Sequence, residues 1–177
     1  CLATGFIVLS LARPRWGFQW QEKPTGGIDI MVVLDLSRSM LATDVKPNRL
    51  EHAKREILDL LSMLKGDRLG LVAFAGVAYV QCPLTVDYRL AQLFVQQLST
   101  DLIPVQGTSI ARALRLATKS LAEASKSDAQ GKAIILITDG EDQEGEALEA
   151  AKEAMDKGVK IYSVGIGRSE GAPIALA

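Results

Sequence analysis

The longest apolar stretches mark out the architecture. Ile28 to Leu36 (IDIMVVLDL) is nearly continuous in apolar residues over the length of a strand, the pattern of a strand buried on both faces of a parallel sheet. Leu50, Ala53, Ile57, Leu60, Leu61 and Leu64 then recur at helical spacing. Asn48 with Glu51 three residues on has the form of a capping box, so a helix with one apolar face is expected there. Arg68 to Ala75 (RLGLVAFA) and Val77 to Cys82 (VAYVQC) read as short strands separated by little more than Gly76. So tight a connection has no room for a crossover helix, and the two strands are expected to pair antiparallel. Tyr88 to Leu98 and Ser109 to Ala124 have amphipathic helical spacing, the second with Ile110, Leu114, Ala117 and Leu121 on one face. Ala133 to Thr138 (AIILIT) and Lys160 to Gly165 (KIYSVG) are strands of the buried type, with the Ala-rich helix Glu146 to Lys157 between them and Gly158 to stop it. Strands alternating with helices, plus one antiparallel hairpin, predict an α/β fold: an open, doubly wound, mostly parallel sheet with one antiparallel edge strand and helices on both faces.

The N-terminal part follows another pattern. Cys1 to Ala12 (CLATGFIVLSLA) carries no charge and ends abruptly at Arg13-Pro14-Arg15-Trp16. A spanning helix needs roughly 20 apolar residues. With no initiator Met before it, and with two Arg, Trp16 and Trp20 after it as at a membrane interface, the run reads as a truncated transmembrane helix, residues 1–16 forming anchor and flank. A signal peptide would show a basic stretch first and a small-residue cleavage site after, and neither is present. Residues 17–27 (GFQWQEKPTGG) lack apolar periodicity and contain Pro24 and Gly26-Gly27, which makes them a linker and leaves 28–177 as a single domain.

Composition narrows the function classes. The 177 residues are 48% hydrophobic, enough for one buried core. A net charge of −1 and an aromatic content of 5% provide neither a basic face for phosphates nor a set of stacking rings, so nucleic acid is not an expected partner. Cys1 and Cys82 are the two cysteines, far apart and in no metal-ligand spacing, which argues against a disulfide framework and against a thiolate site.

Open α/β sheets build their sites beyond the carboxyl ends of the strands, and the chain's polar residues fall there. Asp35, Ser37 and Ser39 (DLSRSM) alternate at the end of the first strand; alternate residues of an extended segment project to one side, so one carboxylate and two hydroxyls are expected to converge. Asp139 (ITDGED) ends a second strand, and Thr108 (QGTS) brings a hydroxyl from a separate loop at the start of a helix. Two carboxylates together would raise each other's pKa unless a cation lay between them. An all-oxygen set suits Mg²⁺ or Mn²⁺, whereas Zn²⁺ would want His or Cys; the single His, His52, lies off the site on the first helix. Taken singly the features are ordinary, since a strand-end Asp is often a cap and Thr108 with Ser109 could serve as an N-cap.

The series Asp35-x-Ser37-x-Ser39, Gly107-Thr108 and Thr138-Asp139-Gly140 resembles the metal-ion-dependent adhesion site of von Willebrand factor A domains, in its usual order and near-usual separations. The resemblance spans Ile28 to about Gly167. It implies that both serines bind the metal directly, that Thr108 and the two Asp bind directly or through water, and that a coordination position is left for a partner's carboxylate. A narrower likeness runs through Ala12-Arg13-Pro14, Gly27-Ile28-Asp29-Ile30, Leu41-Ala42-Thr43-Asp44, Pro47-Asn48-Arg49-Leu50, Val164-Gly165-Ile166-Gly167 and Gly171-Ala172-Pro173-Ile174. These segments are similar to the Bat (aerotolerance-operon) membrane proteins of bacteria, which implies an inner-membrane anchor and assembly with sister Bat-type proteins and a MoxR-type AAA+ ATPase. The likeness departs at the C-terminus, where the family's final strand and helix have no counterpart, so a sheet short of those elements is expected.

The function that follows is a divalent-metal-dependent protein-interaction module that takes an exposed Asp or Glu of a partner. The rival from another class is a Mg-dependent phosphatase or phosphotransferase with Asp35 as nucleophile. Such an enzyme usually wants a second Asp two residues on, where this chain has Ser37, and there is no Gly-rich phosphate loop or triad partner. A purely structural domain would leave the five oxygen-bearing residues unexplained.

Overall fold

The computed structural model describes residues 27–124, 131–140 and 145–167. The expected anchor and flank, residues 1–16, the expected linker, 17–27, except Gly27, and the segment from Arg168 onward lie outside the described residues. Among the described residues, no helix is long and apolar enough to cross a membrane.

Strand β1 (Asp29–Asp35) is buried at every position, as its unbroken apolar run requires. Its alternate side chains feed two separate cores. Ile30, Val32 and Leu34 pack with Leu50, Ala53, Ile57 and Leu61 of helix α1 (Arg49–Met63) and with Val95 of helix α2 (Tyr88–Gln96). Met31 and Val33 pack with Ile110, Leu114, Ala117 and Leu121 of helix α3 (Ile110–Ala124) and with Ala150 and Ala154 of helix α4 (Ala147–Asp156). The chain thus forms three layers, helices on both faces of one sheet.

The sheet also contains β2 (Arg68–Phe74), β3 (Ala78–Thr85), β4 (Lys132–Thr138) and β5 (Val159–Gly165). Their order is β3-β2-β1-β4-β5. β1, β2, β4 and β5 are parallel and β3 alone is antiparallel, so β1 sits at the centre with a parallel neighbour on each side. The fold is the expected one. The hairpin strand runs further than expected, to Thr85, through register shifts between Leu69 and Val72 that let it bend along the edge.

One strand differs in its surroundings from expectation. β5 has the apolar composition of a buried strand, yet among the described residues it is the outermost strand beyond β4, and Tyr162 and Val164 are 55% and 44% exposed. Composition alone does not separate a central strand from an edge strand when both are rich in β-branched residues. Val164 borders an open apolar groove with Ile57, Leu60 and Ile137.

Candidate metal centre

Every parallel strand delivers its carboxyl end to the same side of the sheet. β1 ends in Asp35, whose side chain is fully buried, and its backbone pairing continues through Leu36 N to Phe74 O at 2.7 Å. Both oxygens of Asp35 are engaged. Oδ1 accepts from the Ser37 backbone N–H at 2.8 Å, and Oδ2 accepts from the Thr138 hydroxyl at 2.8 Å, reaching across to the end of β4. The carboxylate therefore cannot swing away from the point where the two strands end.

Ser37 and Ser39 converge, but not along an extended segment. Ser37 is the N-cap of a 3-10 helix, Arg38–Leu41, with Met40 N donating to Ser37 O at 3.0 Å. That tight turn folds Ser39 back, so the two hydroxyl oxygens lie 2.8 Å apart. Alternation predicted the outcome correctly while assigning it the wrong backbone: a turn of about three residues also brings near neighbours together.

Thr108 arrives from the loop before α3 and is buried. The loop is pinned to the sheet end by Ser109 N to Ala75 O at 2.9 Å and by Gly76 N to Val105 O at 3.1 Å. Gly76 is required there, because a Cβ would come within 2.6 Å of Gln106 O. Asp139 follows β4 directly, and the turn beyond it is closed by Gly140 N donating to Thr138 Oγ1 at 3.2 Å.

Electrostatically the site is poised for a cation. Burial pushes the Asp35 carboxyl above its ordinary pKa; hydrogen bonds from Ser37 and Thr138 pull it back in part, and the neighbouring charge of Asp139 raises it further. Asp139 has a side chain only 2% exposed. Its Oδ2 accepts from Arg49 Nη1 at 3.0 Å, while its Oδ1 is buried with no hydrogen-bond partner among the described residues. A buried carboxylate oxygen left unpaired is costly, and a hard cation beside it removes that cost. The residues present fit Mg²⁺ or Mn²⁺: two carboxylates and three hydroxyls, all oxygen. Among the described residues no cluster of three or more His, Cys, Asp or Glu forms an alternative site, and His52 points toward Glu56 at 3.7 Å along α1.

Two residues of this network were not foreseen. Arg49 donates to both oxygens of Asp44, from Nε and Nη2 at 2.9 Å each, in addition to Asp139. These contacts, led by the hydrogen bond to Asp44, push the Arg49 guanidinium above its ordinary pKa. One signal was available in the sequence. Arg49 is the first residue of α1, where the helix dipole disfavours a cation, so a basic residue there indicates a specific acidic partner.

Residues 30–141 match the von Willebrand factor type A domain family. The crystal structure of BatB from Bacteroides thetaiotaomicron is 47% identical, with a TM-score of 0.81, covering 85% of this chain and 72% of that one. An aerotolerance-related membrane protein from Bacteroides fragilis is 43% identical, with a TM-score of 0.80 and coverage of 85% and 73%. Among curated proteins, an uncharacterized protein of Borreliella burgdorferi is 34% identical over 96% of this chain and 49% of its own length. The chain thus spans about half the length of that relative. The fold is also that of manganese-loaded TRAP from Plasmodium vivax, at 23% identity and a TM-score of 0.67, over 81% of this chain and 58% of that one.

Proposed function

The chain belongs to the von Willebrand factor type A domain family, and from that premise we propose that it is a divalent-metal-dependent protein-interaction module of a bacterial membrane protein. Asp35, Ser37, Ser39, Thr108 and Asp139 would hold the ion, Mg²⁺ or Mn²⁺. When bound, such an ion supplies an electrophilic position that can take a partner's Asp or Glu carboxylate in place of water. The observation that carries the reading is Asp139 Oδ1, buried and without a hydrogen-bond partner among the described residues, near the buried carboxylate of Asp35. The manganese in the Plasmodium protein of the same fold supports it.

Asp35 is tied to Thr138 at the end of β4, the 3-10 turn brings the two serine hydroxyls together, and Thr108 is proposed to join them from the loop pinned at Ala75. The rival enzymatic role asks Asp35 to attack a substrate. A carboxylate with both oxygens committed to Ser37 N–H and the Thr138 hydroxyl, and with no exposed surface, is ill placed to do so. The apolar run Cys1 to Ala12 is proposed as part of a membrane anchor, in keeping with the membrane proteins that this chain resembles. Sister Bat-type proteins and a MoxR-type ATPase are the proposed partners.

Capture of partner protein from detergent-solubilised membranes, with and without chelator, tests the reading. Chelation should abolish a defined complex, and Thr108→Ala should weaken it by about 1–3 kcal/mol, the cost of one lost polar contact, with little loss of fold stability. Undiminished recovery in both arms would refute metal-dependent binding. Metal-dependent phosphate release that disappears in Asp35→Asn would establish the enzymatic alternative instead.

A further inference from the structure

We propose that the amino edge of the sheet, at the far end of β1 from Asp35, rests on the surface of a phospholipid bilayer; the inference rests on the membrane-anchor part of the reading above and not on the metal. This edge is where the chain enters the fold. Ile28 N donates to Asp67 Oδ1 at 2.8 Å and Asp29 N to Gly131 O at 2.8 Å, while the Asp29 carboxylate holds Arg68 Nη2 at 2.6 Å. Gly27 lies so close to Gly66 that a Cβ on it would collide with the Gly66 carbonyl oxygen. The entry point is thus fixed at the start of β1. The expected linker, residues 17–27, spans at most about 40 Å even when fully extended, so an anchor at 1–16 holds this edge close to the bilayer.

The edge also carries side chains suited to lipid. Single exposed apolar residues are ordinary, but their distribution here is uneven. Among the described residues, the most exposed large apolar side chains are Met63 at 71%, Leu148 at 70%, Met155 at 66% and Val86 at 62%. All but Leu148 lie on this edge: Met63 ends α1, Met155 is in the last turn of α4, and Val86 directly follows β3. Lys65 and Lys157 are exposed on the same edge. Of the acids around them, Asp67 accepts from Ile28 N, Asp87 caps α2 by accepting from Arg89 N and Leu90 N, Glu123 reaches Lys119 at 3.8 Å, and Asp156 is exposed beside Lys157. Apolar side chains at the boundary of headgroups and acyl chains, with lysines drawn to anionic headgroups, hold a domain on a bilayer. The tether makes the contact intramolecular, so a weak affinity suffices. The seven residues of β1 rise about 3.3 Å each. Asp35 therefore stands about 20 Å further from the lipid than Asp29, and a partner's acid has to come from a segment in water at that height.

A tether alone would also keep the domain near the membrane, so the test reads contact. The full chain, with Cys1→Ser and Cys82 left buried, is reconstituted into vesicles of phosphatidylcholine and phosphatidylglycerol. An environment-sensitive fluorophore is placed at Ser62→Cys, next to Met63, or at Glu149→Cys in the first turn of α4, at the opposite end of the molecule. Lipids with a nitroxide in the headgroup should quench the label at 62 and leave the label at 149 unaffected. Met63→Asp/Val86→Asp/Met155→Asp, all on the surface, should abolish quenching at 62 while the chain still floats with the vesicles and keeps its circular dichroism. Equal quenching at 62 and 149, or quenching at 62 that survives the triple substitution, overturns the proposal and leaves a tether only. A blue shift at 62 without nitroxide quenching overturns it too, because protein, a second copy included, then covers the edge. A chain that does not float with vesicles removes the anchor and this inference with it, whereas loss of metal binding leaves both standing.

Discussion

At the scale of the residue, Asp35 sets the energetic problem that the proposed cation would solve. Folded Asp35 holds its proton more tightly than it would in the unfolded chain. Its contribution to the stability of metal-free protein is therefore fully present below the unfolded pKa of about 3.9 and is lost as pH rises through the raised folded value. The chain holds other carboxylates, Asp29 in its ion pair with Arg68 at 2.6 Å among them, so the comparison is with Asp35→Asn. Between about pH 4 and pH 7 the melting temperature of metal-free wild type should fall relative to that of Asp35→Asn. A constant difference would contradict the burial argument. On the proposed reading Mg²⁺ would compete with protons for the same carboxylate, so added Mg²⁺ should stabilise wild type more at about pH 7 than at about pH 5.

At the scale of the element, legibility followed locality. β1 could be read because a strand buried on both faces needs an unbroken apolar run, and α1 because Leu50, Ala53, Ile57 and Leu61 line one face under a visible cap. The cap itself is half of the expected box: Asn48 Oδ1 accepts from Glu51 N at 2.7 Å, while the Glu51 carboxylate takes Lys54 Nζ at 2.7 Å. Asn48→Ala should cost about 0.5–2 kcal/mol in urea denaturation; no measurable loss would mean that the cap contributes nothing. The 3-10 turn at Ser37 to Leu41 was hidden because its few residues have no periodicity to read. The Arg49–Asp139 contact joins residues 90 apart in sequence, so only the topology creates it. Of the site, the five oxygen-bearing residues were visible at strand and helix ends, and the groups that orient them were not.

At the scale of the whole molecule, the central position of β1 is what makes a site possible. Parallel neighbours on both sides place the end of β1 beside the ends of β2 and β4, so the loops after these strands meet there. The two Bacteroides structures each cover 85% of this chain. Whether Asp35, Ser37, Ser39, Thr108 and Asp139 hold one divalent cation is decided most directly by calorimetric titration of Mg²⁺ into folded, metal-stripped protein. Wild type should bind one ion, and Ser37→Ala/Ser39→Ala should bind it about tenfold or more weakly, since even an outer-shell partner is worth that much to a metal site, with its circular dichroism unchanged. No binding by wild type at millimolar Mg²⁺, or wild-type affinity in the double variant, would contradict the assignment.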